Sequence, residues 1–597
     1  MNSLQYSTRF TLENRPYSAQ ELLAQIFDAR DAGAIWKQAQ QQPTSLYQLK
    51  NLLSPHGEYG LAGLEAAVTR VLQAIYQKQK ILIVGDYDTD GATSTALLIR
   101  FFNAIDHCNI DYLVPNRFEF GYGLSPLLVK EALKHQPELI ITVDNGISST
   151  DGAALCQEHD VDLIITDHHL PGAKLPSAVA IVNPNQAECP FVSKSLAGVG
   201  VAFYFACAIK TKLEEANYFS EQALKVPRMD HFLDLVALGT VADLVPLDDN
   251  NRILVSEGLA RIRAGIVRPG IRALFSVAGR DTQKACASDF GFMIAPRLNA
   301  AGRLDDMSIG IECLICGDEH RATEFAQILH DMNADRRSIE STMTSEAQLQ
   351  LAAIDQDQLS GRFAICLYHA EWHEGVIGIL ASRVKEAHFR PCIIFAKDEA
   401  NNKLKGSARS IPGLHIRDVL ANIDSLYPGM LLSFGGHAMA AGLTISCDAF
   451  EAFSAAFEDA CKQALQGRLP SQVHETDTQL SAELISLELA QLIEASGPWG
   501  QRFPEPSFYG RFRVEDARKL GKNTLKLQLR DAKQQRSNQL LEAVKFREAD
   551  ADPAALVGSV IDCIFTLQIN RFRGSETLQL LIQTFDMIKD STVASVA

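Results

Sequence analysis

Three carboxylates at alternate positions, Asp86, Asp88 and Asp90 in the run DYDTDG, can turn several oxygens towards one cation. Asp144 in DNG, Asp167 with His168 and His169 in TDHHLPG, and Asp243 after a Gly239-Thr240 turn extend the set. Oxygen donors mixed with imidazole suit Mg²⁺, Mn²⁺ or another divalent ion better than a thiophilic metal. A lone D-x-D-x-D-G also reads as a calcium loop or a helix cap. The EF-hand form of that loop is excluded, because its distal Glu and entering helix are missing.

Such groups have to be carried to one place. Apolar runs precede three of them, ILIVG before Asp86, LIITV before Asp144 and LIIT before Asp167, and each run reads as a strand. Strands alternate with helical patterns from Ile81 to about Val182, the signature of a parallel sheet, whose strand ends share one ligand-binding edge. Carboxylates gathered there repel one another unless cations lie between them. The expectation is a carboxylate-rich, dinuclear metal centre.

Residues 1–75 read as a helical lead-in, 76–262 as the metal-bearing α/β domain and 263–355 as a helical connector. The connector's last part, 320–354, has no Pro or Gly and reads as one long helix joining two lobes. A second α/β unit follows over 356–465. Five short runs within 466–590 (FYGRFRV, TLKLQLRD, EAVKF, VIDCIFTLQIN, TLQLLIQTF) suggest an OB-type β-barrel. The fold class is therefore α/β, two-lobed, with a long joining helix and a C-terminal barrel.

With 597 residues, 47% hydrophobic and 21% charged, the chain has an ordinary globular composition spread over several domains. Its net charge of −16 argues against indiscriminate coating of nucleic acid. Between Arg502 and Arg547, however, twelve basic residues stand against five acidic ones. That excess reads equally as a polyanion track or as a solvated barrel face. Phe508, Tyr509, Phe512 and Phe546 are candidates for stacking on bases, although strand aromatics are more often core. The opening residues lack the apolar run of a secretion signal and no stretch reads as membrane-spanning, so a cytoplasmic enzyme is expected. The twelve cysteines read as reduced thiols, with Cys313 and Cys316 the one C-x-x-C and no second pair to make a zinc site.

The motifs VGDYDTDGATSTAL, TVDNGIS, TDHHLPG, SLAGVGVAF, LVALGTVADLVPL, APRLNAAGRLDD, YHAEWHEGVIGILASR, KGSARSI and FGGHAMAAG occur in this order. The ordered set resembles the DHH phosphoesterase superfamily and, within it, the RecJ single-strand-specific exonuclease branch, over essentially the whole chain. The resemblance implies DHH and DHHA1 lobes, an OB domain, and two ions of Mn²⁺ or Mg²⁺. Asp88 would bind one ion and Asp90 the other, with Asp144 bridging and His168 and Asp243 completing the second. Asp86 would coordinate directly or support from behind; Asp167 would orient the histidines and His169 would face the reacting phosphate.

The resemblance also places a substrate grip in the second lobe. Gly435 and Gly436 before His437 let backbone N–H groups approach an anion, with a helix expected to follow; a plain glycine turn is the alternative. Ser407, Arg409 and Ser410 in KGSARSI offer phosphate-sized donors, and Arg297 and Arg303 add two from the connector. Trp372-His373 reads more readily as packing than as a base contact. The implied activity is 5′→3′ hydrolysis of single-stranded DNA to 5′-mononucleotides in recombination and repair, with single-strand-binding protein and a helicase as partners. Two other classes compete: a DHH phosphoesterase acting on short oligonucleotides, cyclic dinucleotides or pyrophosphate, and an inactive DNA-binding scaffold.

Overall fold

The computed structural model describes residues 4–13, 16–32, 49–116, 119–121, 123–354, 356–398, 402–521, 523–532, 539–548, 551–572 and 575–588. The first lobe is built on a five-stranded, all-parallel sheet. Its spatial order is Ile110–Leu113, Ile81–Val84, Leu139–Val143, Asp162–Thr166, Ala180–Val182. The three middle strands are apolar and buried on both faces, as helices on both sides of a parallel sheet require. Chain order reverses between Ile81–Val84 and Leu139–Val143, and the crevice beyond such a pair is the usual ligand position.

The connecting helix Glu319–Ala352 is 34 residues long, about 50 Å at 1.5 Å per residue. It starts at Asp318, whose side chain accepts from the Arg321 N–H. Ala322, Ala326 and Leu329 from its first half pack into the core of the first lobe. Met343, Ala347 and Leu351 from its second half pack with Trp372 and Leu380 of the second lobe. One helix thus belongs to two cores and fixes the lobes against each other. Trp372 is buried in that junction and donates its indole N–H to Glu346, so it packs.

The second lobe has a mixed five-stranded sheet, ordered Ser433–Gly436, Ala440–Ser446, Lys403–Arg409, Cys392–Asp398, Ile365–Tyr368. No helix follows Gly435-Gly436, in contrast to the sequence expectation. The glycines end one strand of a hairpin, Gly436 taking φ +144°, and the chain returns as Ala440–Ser446 with alternating burial. The period of two in AAGLTIS outweighs the helix propensity of the alanines.

Five strands close the barrel: Phe508–Leu520, Thr524–Asp531, Leu541–Phe546, Ser575–Met587 and Val560–Phe572, the last pairing back onto the first. The N-terminal region is not wholly helical. Tyr6–Thr8 pairs in parallel with His474–Thr476, ahead of the barrel. Arg30 forks onto Asp477 at 2.7 and 2.8 Å, and Phe27 packs against Trp499 and Phe503. The barrel is thereby seated on the first lobe. Residues 33–48, within the expected lead-in, lie outside the described residues.

Candidate metal centre and the facing cleft

Asp86 and Asp88 follow the strand Ile81–Val84, Asp144 follows Leu139–Val143, and Asp167 follows Asp162–Thr166. Asp88 caps the helix Thr89–Ala104, accepting from Gly91 N–H at 3.0 Å, and this places Asp90 in its first turn. Asp243 caps the far end of the helix Leu233–Ala242. Gly239 and Thr240 are inside that helix and do not form a turn; a Cβ on Gly239 would come 2.8 Å from Asp90 Oδ1. A Cβ on Gly198 would reach 2.6 Å from that of Asp144. These two glycines make room for the carboxylates. Sequence reading quoted them only inside motifs and missed this role.

Three groups of ligand atoms each lie within 4.8 Å of one another: Asp86, Asp88 and Asp144; Asp90, His168 and Asp243; Asp144, His168 and His169. His168 Nε2 is 3.1 Å from Asp144 Oδ1 and 3.4 Å from Asp243 Oδ2. Both His168 Nε2 and Asp144 Oδ1 are buried with no hydrogen-bond partner. Buried polar atoms left so call for an unplaced ion or water. The donor set fits hard divalent cations, and Asp144, common to two groups, lies at the crossing. Asp144 also holds a left-handed conformation, φ +62°, which bulky residues avoid. Thr142, bonded to the Asn145 carbonyl, and Asn145, bonded to the Val84 and Val143 carbonyls, brace it.

Electrostatics agree with the geometry. Burial and the Asp88 charge lift Asp90 to about 7, against hydrogen bonds from the Val199 and Gly198 N–H groups. Burial, then neighbouring carboxylates, push Asp144 and Asp243 well above the usual range. These groups carry their full charge at neutral pH only when cations offset it. The two histidines are driven in opposite directions. Burial, then the charge of His169, lowers His168 to about 4, leaving a neutral imidazole fit to ligate. Burial would lower His169 too, but Asp167's hydrogen bond and charge, with Asp243 and Asp86, outweigh it and raise His169 to about 9.

Asp167 is the hinge of this arrangement. Its Oδ1 meets His169 Nδ1 at 2.8 Å and accepts the His168 and His169 N–H groups; its Oδ2 accepts from Ile147 N–H. Burial alone would raise its pKa, yet the His169 hydrogen bond and both histidine charges hold it below the usual range. One carboxylate therefore fixes the D-H-H and D-N-G loops together.

His437 of the second lobe closes over this wall. With Gly146, Ser148, Asp167, His169 and Leu170 it lines a cleft of 130 Å³. Arg409 pairs with Ala440, whose carbonyl accepts from His437 N–H, so both side chains sit at one end of the hairpin. Ser407 pairs with Gly442, and Gly442 with Gly435; a Cβ on either glycine would meet open space. Gly378, in the first turn of the helix Ile377–His388, lies where a Cβ would come 3.0 Å from Arg409 Nη2 and 3.1 Å from Ser407 Oγ. The motif YHAEWHEGVIGILASR contains Gly378, but nothing in the motif signals this role. Arg303 donates to the Gly375 carbonyl at 3.1 Å and stands at the lobe junction.

Two expected grip residues are not brought to the cleft. Ser410 is buried and donates to the Leu414 carbonyl at 2.6 Å. Arg297 is buried and bonded to the Met293 carbonyl and His330. Ser410 serves its own turn, and Arg297 ties its helix to the long connecting helix.

Exposed apolar groups beside the carboxylates were also missed. Leu244, next to Asp243, is 67% exposed at φ +60°, and Phe292 is 76% exposed. Phe292 lies in a π-helical turn, Phe290–Ile294, where the Ala295 N–H reaches back to the Phe290 carbonyl just before Pro296. Pro296 has no N–H for an ordinary helical bond, and the bulge absorbs the mismatch. The next turn bonds the metal loop: Thr89 Oγ1 donates to the Ala295 carbonyl and Asn299. A proline shortly after the Phe290-Gly291-Phe292 run was the sequence signal.

In the barrel, Phe508, Tyr509 and Phe512 are core, and Phe546 is exposed. Arg511, Lys526 and Arg530 are paired with Asp562, Glu542 and Glu515, which thins the basic excess; Lys522, Lys533 and Arg536 lie outside the described residues.

A parallel sheet with a carboxylate–histidine centre at its switch point, closed by a second lobe, defines a phosphoesterase of the DHH class. Family models agree: the DHH family N-terminal domain matches residues 80–240, the DHHA1 domain 361–463 and the RecJ OB domain 476–584. The single-stranded-DNA-specific exonuclease RecJ of Escherichia coli is 47% identical over 522 residues, covering 87% of this chain and 90% of that protein. That of Haemophilus influenzae is 46% identical, covering 91% and 93%. The crystal structure of Thermus thermophilus RecJ with Mn²⁺ superposes at a TM-score of 0.73 and 28% identity, covering 97% of this chain and 79% of that one. This chain belongs to the RecJ family.

Proposed function

We propose that this chain is a metal-dependent exonuclease that degrades single-stranded DNA from the 5′ end, releases 5′-mononucleotides, and acts in recombination and repair. The observation that carries the reading is Asp144, shared by two donor groups and facing a neutral His168 with no hydrogen bond between them. Asp86 and Asp88 would hold one ion, Asp90, His168 and Asp243 the other, with Asp144 between. Two ions of Mn²⁺ or Mg²⁺, as in the Thermus structures, would supply a water of lowered pKa and offset the charge of an in-line displacement.

The chain's own groups do the rest. Asp167 engages His169 through Nδ1, which makes Nε2–H the donor for the phosphate. A protonated His169 donates there, to a phosphate oxygen or to the departing one. Arg409, Ser407 and Arg303 take the 5′-terminal phosphate, which sets the direction of cutting. Phe292 and Leu244 offer apolar surface to unpaired bases, and the barrel extends the strand's track past Phe546. The division into 1–75, 76–262, 263–355, 356–465 and 466–590 follows these roles. Family membership supports single-strand-binding protein and a helicase as partners, and the cytoplasm as the compartment. No helix among the described residues is long and apolar enough to cross a membrane.

The test uses a 3′-labelled, 5′-phosphorylated strand, single and duplex, with Mn²⁺. A ladder shortening from the 5′ end of the single strand alone, absent with Asp144→Ala, is expected. Equal cutting of duplex, or undiminished cutting by the variant, refutes the reading.

A further inference from the structure

A second cavity, of 520 Å³, opens on the first lobe, a size typical of small-molecule sites. Its polar lining is Arg100, Asn103, Arg228, His231 and Arg268, with no carboxylate among the described residues that line it. Ile99, Pro227, Phe232 and Ile315 supply an apolar wall. On a chain of net charge −16, such a lining is not the surface average.

The cations there are unequally satisfied. Arg228 pairs with Asp230, and Arg268 forks onto Asp234 from behind the wall. Arg268 Nη1 is buried with no acceptor, on a side chain 4% exposed. Arg100 donates to the Ile315 carbonyl at 2.7 Å and has no carboxylate in direct contact among the described residues. Arg100 and Arg268 share the one buried carboxylate Asp234, and two guanidiniums largely out of water against a single counter-charge leave a positive excess that an anion in the cavity would offset. The donors come from three elements: the helix Thr89–Ala104, the turn Met229–Phe232 with Arg228 before it, and the cap of Pro269–Val277. Guanidinium groups brought to one cavity by different elements can each donate charge-assisted bonds to a phosphate's oxygens.

We propose that this cavity binds a nucleoside 5′-monophosphate, with the phosphate between Arg100 and Arg228 and the Arg268 charge behind them, the base edge at Asn103 and the nucleoside against the apolar wall. Arg100 is ten residues along its helix from Asp90, about 15 Å, so the site is separate from the metal centre. The pocket stands whatever the metal centre does; only the supply of nucleotide as product rests on the exonuclease reading.

Calorimetry with thymidine 5′-monophosphate and with inorganic phosphate tests it on the full chain. Wild type and Asp144→Ala should bind the nucleotide alike. Arg100→Gln should bind at least tenfold more weakly, and exposed Arg228→Gln severalfold more weakly at unchanged melting temperature. Inorganic phosphate, lacking the apolar body, should bind more weakly than the nucleotide. Unchanged binding by both arginine variants, loss of binding in Asp144→Ala, or no binding by wild type overturns the proposal. An acidic peptide with an apolar end that binds in an Arg100-dependent way while the nucleotide does not also overturns it. Nucleotide binding by a chain that cuts no strand would retain the pocket and remove the exonuclease reading.

Discussion

The two walls of the cleft solve the same problem, placing charge against a phosphodiester, by opposite means. On the first wall the acids are buried, delivered by separate strands and braced by backbone bonds, with His168 Nε2 and Asp144 Oδ1 left unsatisfied. On the second wall the donors are half-exposed, arranged along the strand Lys403–Arg409 and the hairpin beside it, and spaced by glycines with open room above them. A buried, rigid wall suits chemistry that tolerates little displacement, whereas an open wall suits holding a strand that has to advance. The difference predicts that damage to the first wall abolishes turnover and damage to the second changes which end is held.

The largest effect belongs to Asp144. Asp144→Asn should lower single-strand hydrolysis at saturating Mn²⁺ by at least about 10²–10³-fold, the scale on which one electrostatic contributor to a transition state is felt. It should also weaken Mn²⁺ binding in calorimetry. Retained metal binding and turnover would mean that the crossing of the donor groups is not where the ions sit.

Asp167→Asn comes next, at about 10–100-fold, because it supports the histidines from behind. Its sharper signature is in pH. If protonated His169 is the donor, rate falls as pH rises through the His169 pKa. Asp167 raises that pKa by hydrogen bond and charge, so its neutral replacement moves the falling limb to lower pH. Ions that offset Asp243 and Asp86 remove part of the rise to about 9, so the wild-type limb lies below that value. A limb that does not move with Asp167→Asn would take the proton away from His169.

On the facing wall, Arg409→Ala should cost about tenfold or more in preference for a 5′-phosphate over a 5′-hydroxyl, the worth of one charge-assisted hydrogen bond. The rate on a 5′-hydroxyl strand should change little. An equal fall on both substrates would make Arg409 a structural residue and blur the contrast between the walls.

The same contrast explains how much was legible in the sequence. The acids of the first wall follow apolar strand runs, and strand ends in a parallel sheet share an edge, so one-dimensional order carried three-dimensional convergence. The long helix was legible because no Pro or Gly interrupts 320–354, and the barrel strands because short alternating runs survive even where bulges break the register. The hairpin Ser433–Gly436/Ala440–Ser446 was misread because glycine before alanine satisfies a helix start as well as a turn, and only the partner strand Lys403–Arg409 decides. Ser410 and Arg297 were over-read because residue type gives a donor's capacity and not its direction. Gly198 and Gly239 were under-read because their function is the space they leave beside Asp144 and Asp90, which is a property of two segments together.

Phe292 joins the two walls in a single test. An aromatic ring 76% exposed on a π-helical turn, one turn before the residues that bond Thr89, has no packing reason to be large. Stacking on a base is worth about 1–3 kcal/mol, so Phe292→Ala should weaken single-strand binding by about 5- to 150-fold. Phe292→Trp should restore it. The base is the partner, so a strand with abasic sites near its 5′ end should bind wild type and Phe292→Ala alike. A loss on the abasic strand equal to that on the normal one would show that the ring supports the connector, and the single-strand preference would then have to come from the width of the cleft alone.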